Sequence, residues 1–168
     1  ANSKKKKVSS AVLFSVGDIL NSLDGKTHKG TEIEGWPLAE GQFDAAFSSL
    51  SKFVQYLSEI VPLTKVVSLA GNHSIHDTTL FKCLAAYFRN IGGVKFDIHD
   101  SRWCLFKIGG CGIIAEHGSS AYYKSSLPKE GSAREAYIQK LIIEKRGELK
   151  DVKQVLFISA DAHHFEFN

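Results

Sequence analysis

Apolar positions along the chain fall into two patterns. Short unbroken apolar runs end abruptly in small or polar residues. They are AVLFSV at 11–16, the stretch Lys65–Ala70, and Val155–Ser159. Such runs predict buried strands. Val94–Ile98 alternates, and Trp103–Ile108 and Cys111–Ala115 flank Gly109-Gly110, which predicts a hairpin or a bulge. Between these lie segments of helical period. Phe43, Ala46, Phe47, Leu50, Phe53, Val54, Leu57 and Ile60 recur at spacings of three and four until Pro62 stops them. Asp77 is placed to cap a second helix carrying Leu80, Leu84, Ala85 and Phe88, closed by Gly92-Gly93. Residues 132–149 predict a charged amphipathic helix with Ala136, Ile138, Leu141, Ile142 and Ile143 on its apolar positions. Residues 24–40 and 118–131 are polar and predict loops. Strands alternating with helices predict an α/β layered domain.

Composition narrows the class. The chain has 168 residues, 43% hydrophobic and 23% charged, which predicts one globular domain able to bury a core. No apolar run approaches the roughly 18 residues of a membrane span. The start of the chain lacks the form of a signal peptide. Cys83, Cys104 and Cys111 show no CxxC spacing, so buried free thiols in a reducing, cytoplasmic compartment are expected. The net charge of +3 comes from Lys4–Lys7; the remainder carries 17 basic against 18 acidic residues. A basic tail at 1–10, ahead of a near-neutral domain at 11–168, is the expected organisation. Such a tail is either a solvated segment or a nucleic-acid contact.

The chemistry lies at the strand ends. Ligands of open α/β sheets collect beyond the carboxyl ends of the strands. Four predicted strands run into metal-type donors there: Asp18, then Asn72-His73, then His117, then Asp161, His163 and His164. Any one of these has an ordinary structural reading, since Gly-Asn and Gly-Asp are common turn residues. Four such clusters favour a shared site, because a buried imidazole or carboxylate needs a partner. His28 and His76 lie close enough in sequence to touch a substrate, and Trp36, Tyr122 and Tyr123 fall in loops that could wall a cleft. No Walker or GxGxxG glycine pattern follows the first strand, which weakens a nucleotide-binding reading.

In its order of motifs, Gly17-Asp18, Gly71-Asn72-His73, His117-Gly118 and the terminal His cluster, the chain resembles the calcineurin-like metallophosphoesterases, and its Thr27–Thr31 segment and final His-His-Phe-Glu are most similar to the phage and bacterial type. That resemblance covers about residues 11–166. It implies a layered β-sandwich flanked by helices and a metal-dependent phosphoric ester hydrolase. It implies a phosphodiesterase or nuclease-like activity on a phosphate ester, with DNA and RNA among the candidates, in a cytoplasm that includes that of a phage-infected host. The resemblance assigns Asp18 as the bridging carboxylate, Asn72 and His117 as ligands of the second metal, and His163 as a ligand of the first. His73 becomes the catalytic imidazole; outside the family pattern, Asp77, one helical turn on, is this chain's own candidate to orient it. Imidazole and carboxylate donors suit manganese, zinc, iron or cobalt. In such centres two ions about 3.5–4 Å apart clamp the phosphoryl group.

The departures from the family pattern carry their own expectations. The DxH motif is absent before Ala11, so the fold is expected without its N-terminal strand. Asp161 stands where the family has a ligating His, and Ser74 where it has an acidic residue. One well-formed metal site, built from Asp18, Asn72, His117 and Asp161, and one weakened site are therefore expected. A sheet edge without its neighbouring strand invites a second copy or a partner chain. The competing reading is a catalytically degenerate member of the family that binds nucleic acid or a protein partner.

Overall fold

The computed structural model describes residues 8–20, 39–71, 76–118 and 131–160. Among these the chain is mixed α/β, with three helices and two three-stranded sheets. It divides into two compact units, residues 1–99 and residues 100–168. No helix among the described residues is long and apolar enough to cross a membrane.

The first unit runs β1 (Ser10–Ser15), α1 (Ala39–Ile60), β2 (Leu63–Ser68), α2 (Asp77–Phe88) and β3 (Val94–Ile98). The strands are all parallel in the order β1-β2-β3. A sheet that grows in one direction through crossovers of one hand carries its helices on one face. Leu13, Val66 and Phe96 lie in register across that face. Against them pack Val54 of α1 and Leu80, Phe81, Leu84 and Phe88 of α2, with Leu20 from the turn after β1. α1 is apolar on more than the face it buries. Val54 is fully buried, whereas Phe53 and Ile60, expected in the core from their spacing, are about half exposed.

Beyond the strand ends the ladder continues. Leu69 N–H donates to Ser15 O at 3.0 Å, and His99 N–H donates to Ser68 O at 2.9 Å. Asp97 lies between Lys65 Nζ at 2.8 Å and His99 Nε2 at 3.2 Å. The hydrogen bond from Lys65 holds the Asp97 carboxyl below the ordinary aspartate range. A depressed carboxyl contributes stability above its unfolded value, and that contribution is lost as pH falls through the folded value. Because the pair is partly exposed, its worth is below about 1 kcal/mol. Asp97→Asn is therefore expected to lower stability slightly at neutral pH. Urea titrations of the two proteins should converge as pH falls below the ordinary aspartate range.

The second unit runs β4 (Trp103–Ile108), β5 (Cys111–Glu116), α3 (Gly131–Glu144) and β6 (Gln154–Ser159). β4 and β5 form the expected antiparallel hairpin, with Ile108 opposite Cys111. Gly109, the first central residue of its turn, has φ +56°, as a turn matched to strand twist requires. β6 pairs with β5 in parallel through the α3 crossover. The core gathers Ile114, Leu141 and Leu149, with Tyr137, Leu105 and Phe157 packed against it. α3 stops at Glu144 rather than Leu149, and the chain turns through Gly147, a poor helix former. Ile143 is exposed, and Tyr137, outside the expected apolar positions, packs against the core. Of the cysteines, Cys104 is buried and Cys111 half-buried, but Cys83 is exposed, contrary to the expectation of three buried thiols.

Candidate functional site

In the first unit, two motifs far apart in sequence meet at the carboxyl ends of β1 and β2. These strands are parallel neighbours, with Ser15 in register with Ser68, so the chain leaves both at the same sheet edge. Gly17 has φ +90° and Asp18 has φ +54°. Left-handed backbone is uncommon for a residue with a side chain, although aspartate tolerates it better than most. Gly71 approaches this turn closely. A Cβ added there would lie 2.5 Å from the Asp18 amide nitrogen, 3.0 Å from its Cγ, and nearer still to Oδ1. The glycine of the Gly-Asn-His motif thus leaves room for the Asp18 carboxylate.

Asp77 also reaches this turn. It was expected to cap α2, but the capping position is His76, with no side-chain capping bond. Asp77 is instead the first helical residue, and its carboxylate faces the turn after β1. Ile19 N–H donates to Oδ2 at 3.1 Å and Leu20 N–H to Oδ1 at 2.9 Å. The side chain is fully buried. Burial pushes its carboxyl above the ordinary aspartate range; the amides of Leu20 and Ile19 pull it back, while the charge of Asp18 pushes it further up. Its expected partner, His73, lies outside the described residues, as does Asn72.

In the second unit the carboxyl ends of β5 and β6 also lie side by side. Ala160 N–H donates to Glu116 O at 3.1 Å, which carries the pairing past the last strand residue. His117 is buried, and its N–H donates to Arg102 O at 2.7 Å. Next to it, Glu116 is almost fully buried, and Tyr137 donates its hydroxyl proton to Oε2 at 2.7 Å. A hydrogen bond to a buried carboxylate is worth about 1.5–3 kcal/mol. Tyr137→Phe is expected to lower unfolding stability by about that amount, read from the denaturant midpoint. An unchanged midpoint would show that Glu116 does not depend on Tyr137.

Of the five expected metal ligands, Asp18 and His117 are described, one in each unit. Asn72, Asp161 and His163 lie outside the described residues, as do His28, Trp36, Tyr122, Tyr123 and His164. Among the described residues no three His, Cys, Asp or Glu side chains gather to hold an ion. The donor types themselves, carboxylate and imidazole following parallel strands, fit a divalent transition metal.

Three features were missed by motif reasoning. Glu116 directly follows the apolar run Cys111–Ala115 and gives no periodic signal apart from its adjacency to His117. Gly71 looks like a turn residue, and only the packing of Asp18 shows why a side chain is excluded there. The Ser15 and Ser68 hydroxyls are buried and find no partner among the described residues; a serine within the last three positions of each of two apolar runs is the available signal. Compared with family models, curated proteins and solved structures, the chain matches none.

Proposed function

We propose that this protein is a metal-dependent phosphoesterase of the calcineurin-like kind, acting on phosphodiesters, on the layered β-sandwich scaffold of that family. The observation that carries the reading is the close approach of Gly71 to the Gly17-Asp18 turn. A left-handed Asp18 is packed against a glycine that must be a glycine, beside a buried carboxylate. Backbone held in an uncommon region and over-determined by its surroundings is a feature of functional sites. A plain surface turn has no need of it.

In this reading Asp18 and Asn72 are the metal donors of the first unit, and His117, Asp161 and His163 those of the second. A bound divalent ion supplies Lewis-acid polarisation of the phosphoryl oxygens and a nucleophilic water at neutral pH. The protein's own residues do the rest. The Asp18 carboxylate, fixed by its turn, neutralises cationic charge at one location. The Asn72 carboxamide presents a neutral oxygen, which leaves the net charge of the site favourable to an anionic ester. The His73 imidazole donates a proton to the departing alkoxide or phenoxide.

Manganese titration followed by calorimetry tests the proposal. One tight manganese per chain is expected, lost in Asp18→Ala and Asn72→Ala. A folded protein that binds no manganese would contradict the enzyme reading. It would favour the degenerate phosphoesterase-like binder, for which Asp161 in place of a ligating His speaks.

A further inference from the structure

Asp77 has no role in the family pattern that the motifs follow, yet it is the most deeply buried acidic side chain near either turn. We propose that Asp77 is a positioning residue for Asp18, holding the turn after β1 in the form that presents the Asp18 carboxylate. This rests on the functional reading above for what Asp18 does, but the geometry stands by itself.

Three observations support it. First, the carboxylate is spent on backbone. Oδ1 and Oδ2 each accept from a separate amide, Leu20 at 2.9 Å and Ile19 at 3.1 Å, with a further contribution from the amide of Asp18 itself. These contacts cross 57 and 58 residues of sequence, so they do not serve local helix capping. Secondly, the amides that converge on this one group directly follow Gly17 and Asp18, which both have positive φ. Without an acceptor, the left-handed Asp18 would cost about 1–2 kcal/mol with no compensation. Thirdly, Gly71 comes close to Asp18 itself, at its amide nitrogen and its carboxyl group. The turn is thus contacted by Asp77 through its amides and by Gly71 at Asp18.

The physical consequence is a division of labour between two aspartates. Asp18 carries the chemistry. Asp77 is fully buried and fixes where that chemistry sits. A partner that orients a metal ligand is typically worth about 10–100-fold in metal affinity.

The test uses two readouts on the full chain, wild type, Asp77→Asn and Asp77→Ala. The first is amide hydrogen exchange without metal. Asp77→Asn keeps one acceptor oxygen, and Asp77→Ala keeps none. Protection at Asp18, Ile19 and Leu20 should fall in that order, while the amides of β3 and the later turns of α1 keep theirs. The second is manganese affinity, which is expected to weaken at least about 10-fold in Asp77→Asn. Should Asp77→Ala fail to fold, Asp77→Asn carries the test alone. Unchanged protection at residues 18–20, or a uniform loss across the first unit, would overturn the proposal by showing that Asp77 is dispensable or merely structural. Unchanged manganese affinity in a variant that has lost protection at the turn would overturn it too. If the wild-type protein binds no manganese, the phosphoesterase reading fails, and the exchange pattern still decides whether Asp77 fixes the turn.

Discussion

Gly71→Ala is expected to damage both stability and metal binding, although it adds a single methyl group. The new carbon would overlap the Asp18 backbone and carboxylate, at 2.5 Å from the amide nitrogen and closer to Oδ1. A clash with the tip of a flexible side chain is relieved cheaply. This one is not, because Asp18 is held by its own positive φ and its neighbours Ile19 and Leu20 by Asp77. Overpacking of this kind costs about 1–3 kcal/mol. At this chain length that is a fall of roughly 2–4 °C in Tm for each kcal/mol. Gly92 supplies the control: a Cβ there meets nothing within 4 Å, so Gly92→Ala should be nearly silent. Scanning calorimetry and manganese titration of both variants check the prediction. A Gly71→Ala protein with wild-type Tm and wild-type affinity would show that the close approach to Asp18 is not maintained in solution.

His73→Ala is expected to have the largest effect on turnover. General acid assistance to a leaving group is worth about 10²–10⁴-fold. The size of the loss should depend on the substrate. A p-nitrophenolate departs readily and needs little protonation, whereas an alkoxide, such as a nucleotide's sugar oxygen, needs much. The variant should therefore lose more activity on a dinucleotide than on an activated aryl diester, with manganese affinity little changed. Equal losses on both would point to a role for His73 in binding phosphate, not in proton transfer. A loss of manganese affinity would make it a ligand.

The sequence displayed the fold's elements more clearly than the fold's contacts. Strands β3 and β4 begin and end where alternation and the Gly109-Gly110 turn require. α3 was the poorest of the helices, since an apolar count cannot separate an inward Tyr137 from an outward Ile143. α1 was located well, but its stripe is broader than the face it buries, which is why Phe53 and Ile60 were misplaced. At the site, the donor residues were legible because carboxylate, carboxamide and imidazole at strand ends are chemically conspicuous. Their supports were not. Asp77 stands where an acidic residue most often caps its own helix, and only the three-dimensional structure reveals that its carboxylate reaches across to residues 19 and 20. A contact over so long a stretch of chain leaves no periodic trace. The same holds for Glu116, whose partner Tyr137 comes from the following helix.

The most direct test of the central claim is hydrolysis of bis-p-nitrophenyl phosphate by the full chain, stripped of metal and then supplied with manganese, beside Asp18→Ala and Asn72→Ala. The account predicts turnover that appears only with manganese and collapses in both variants. Folded wild-type protein that binds manganese but shows no turnover, or turnover that survives both substitutions, would contradict it.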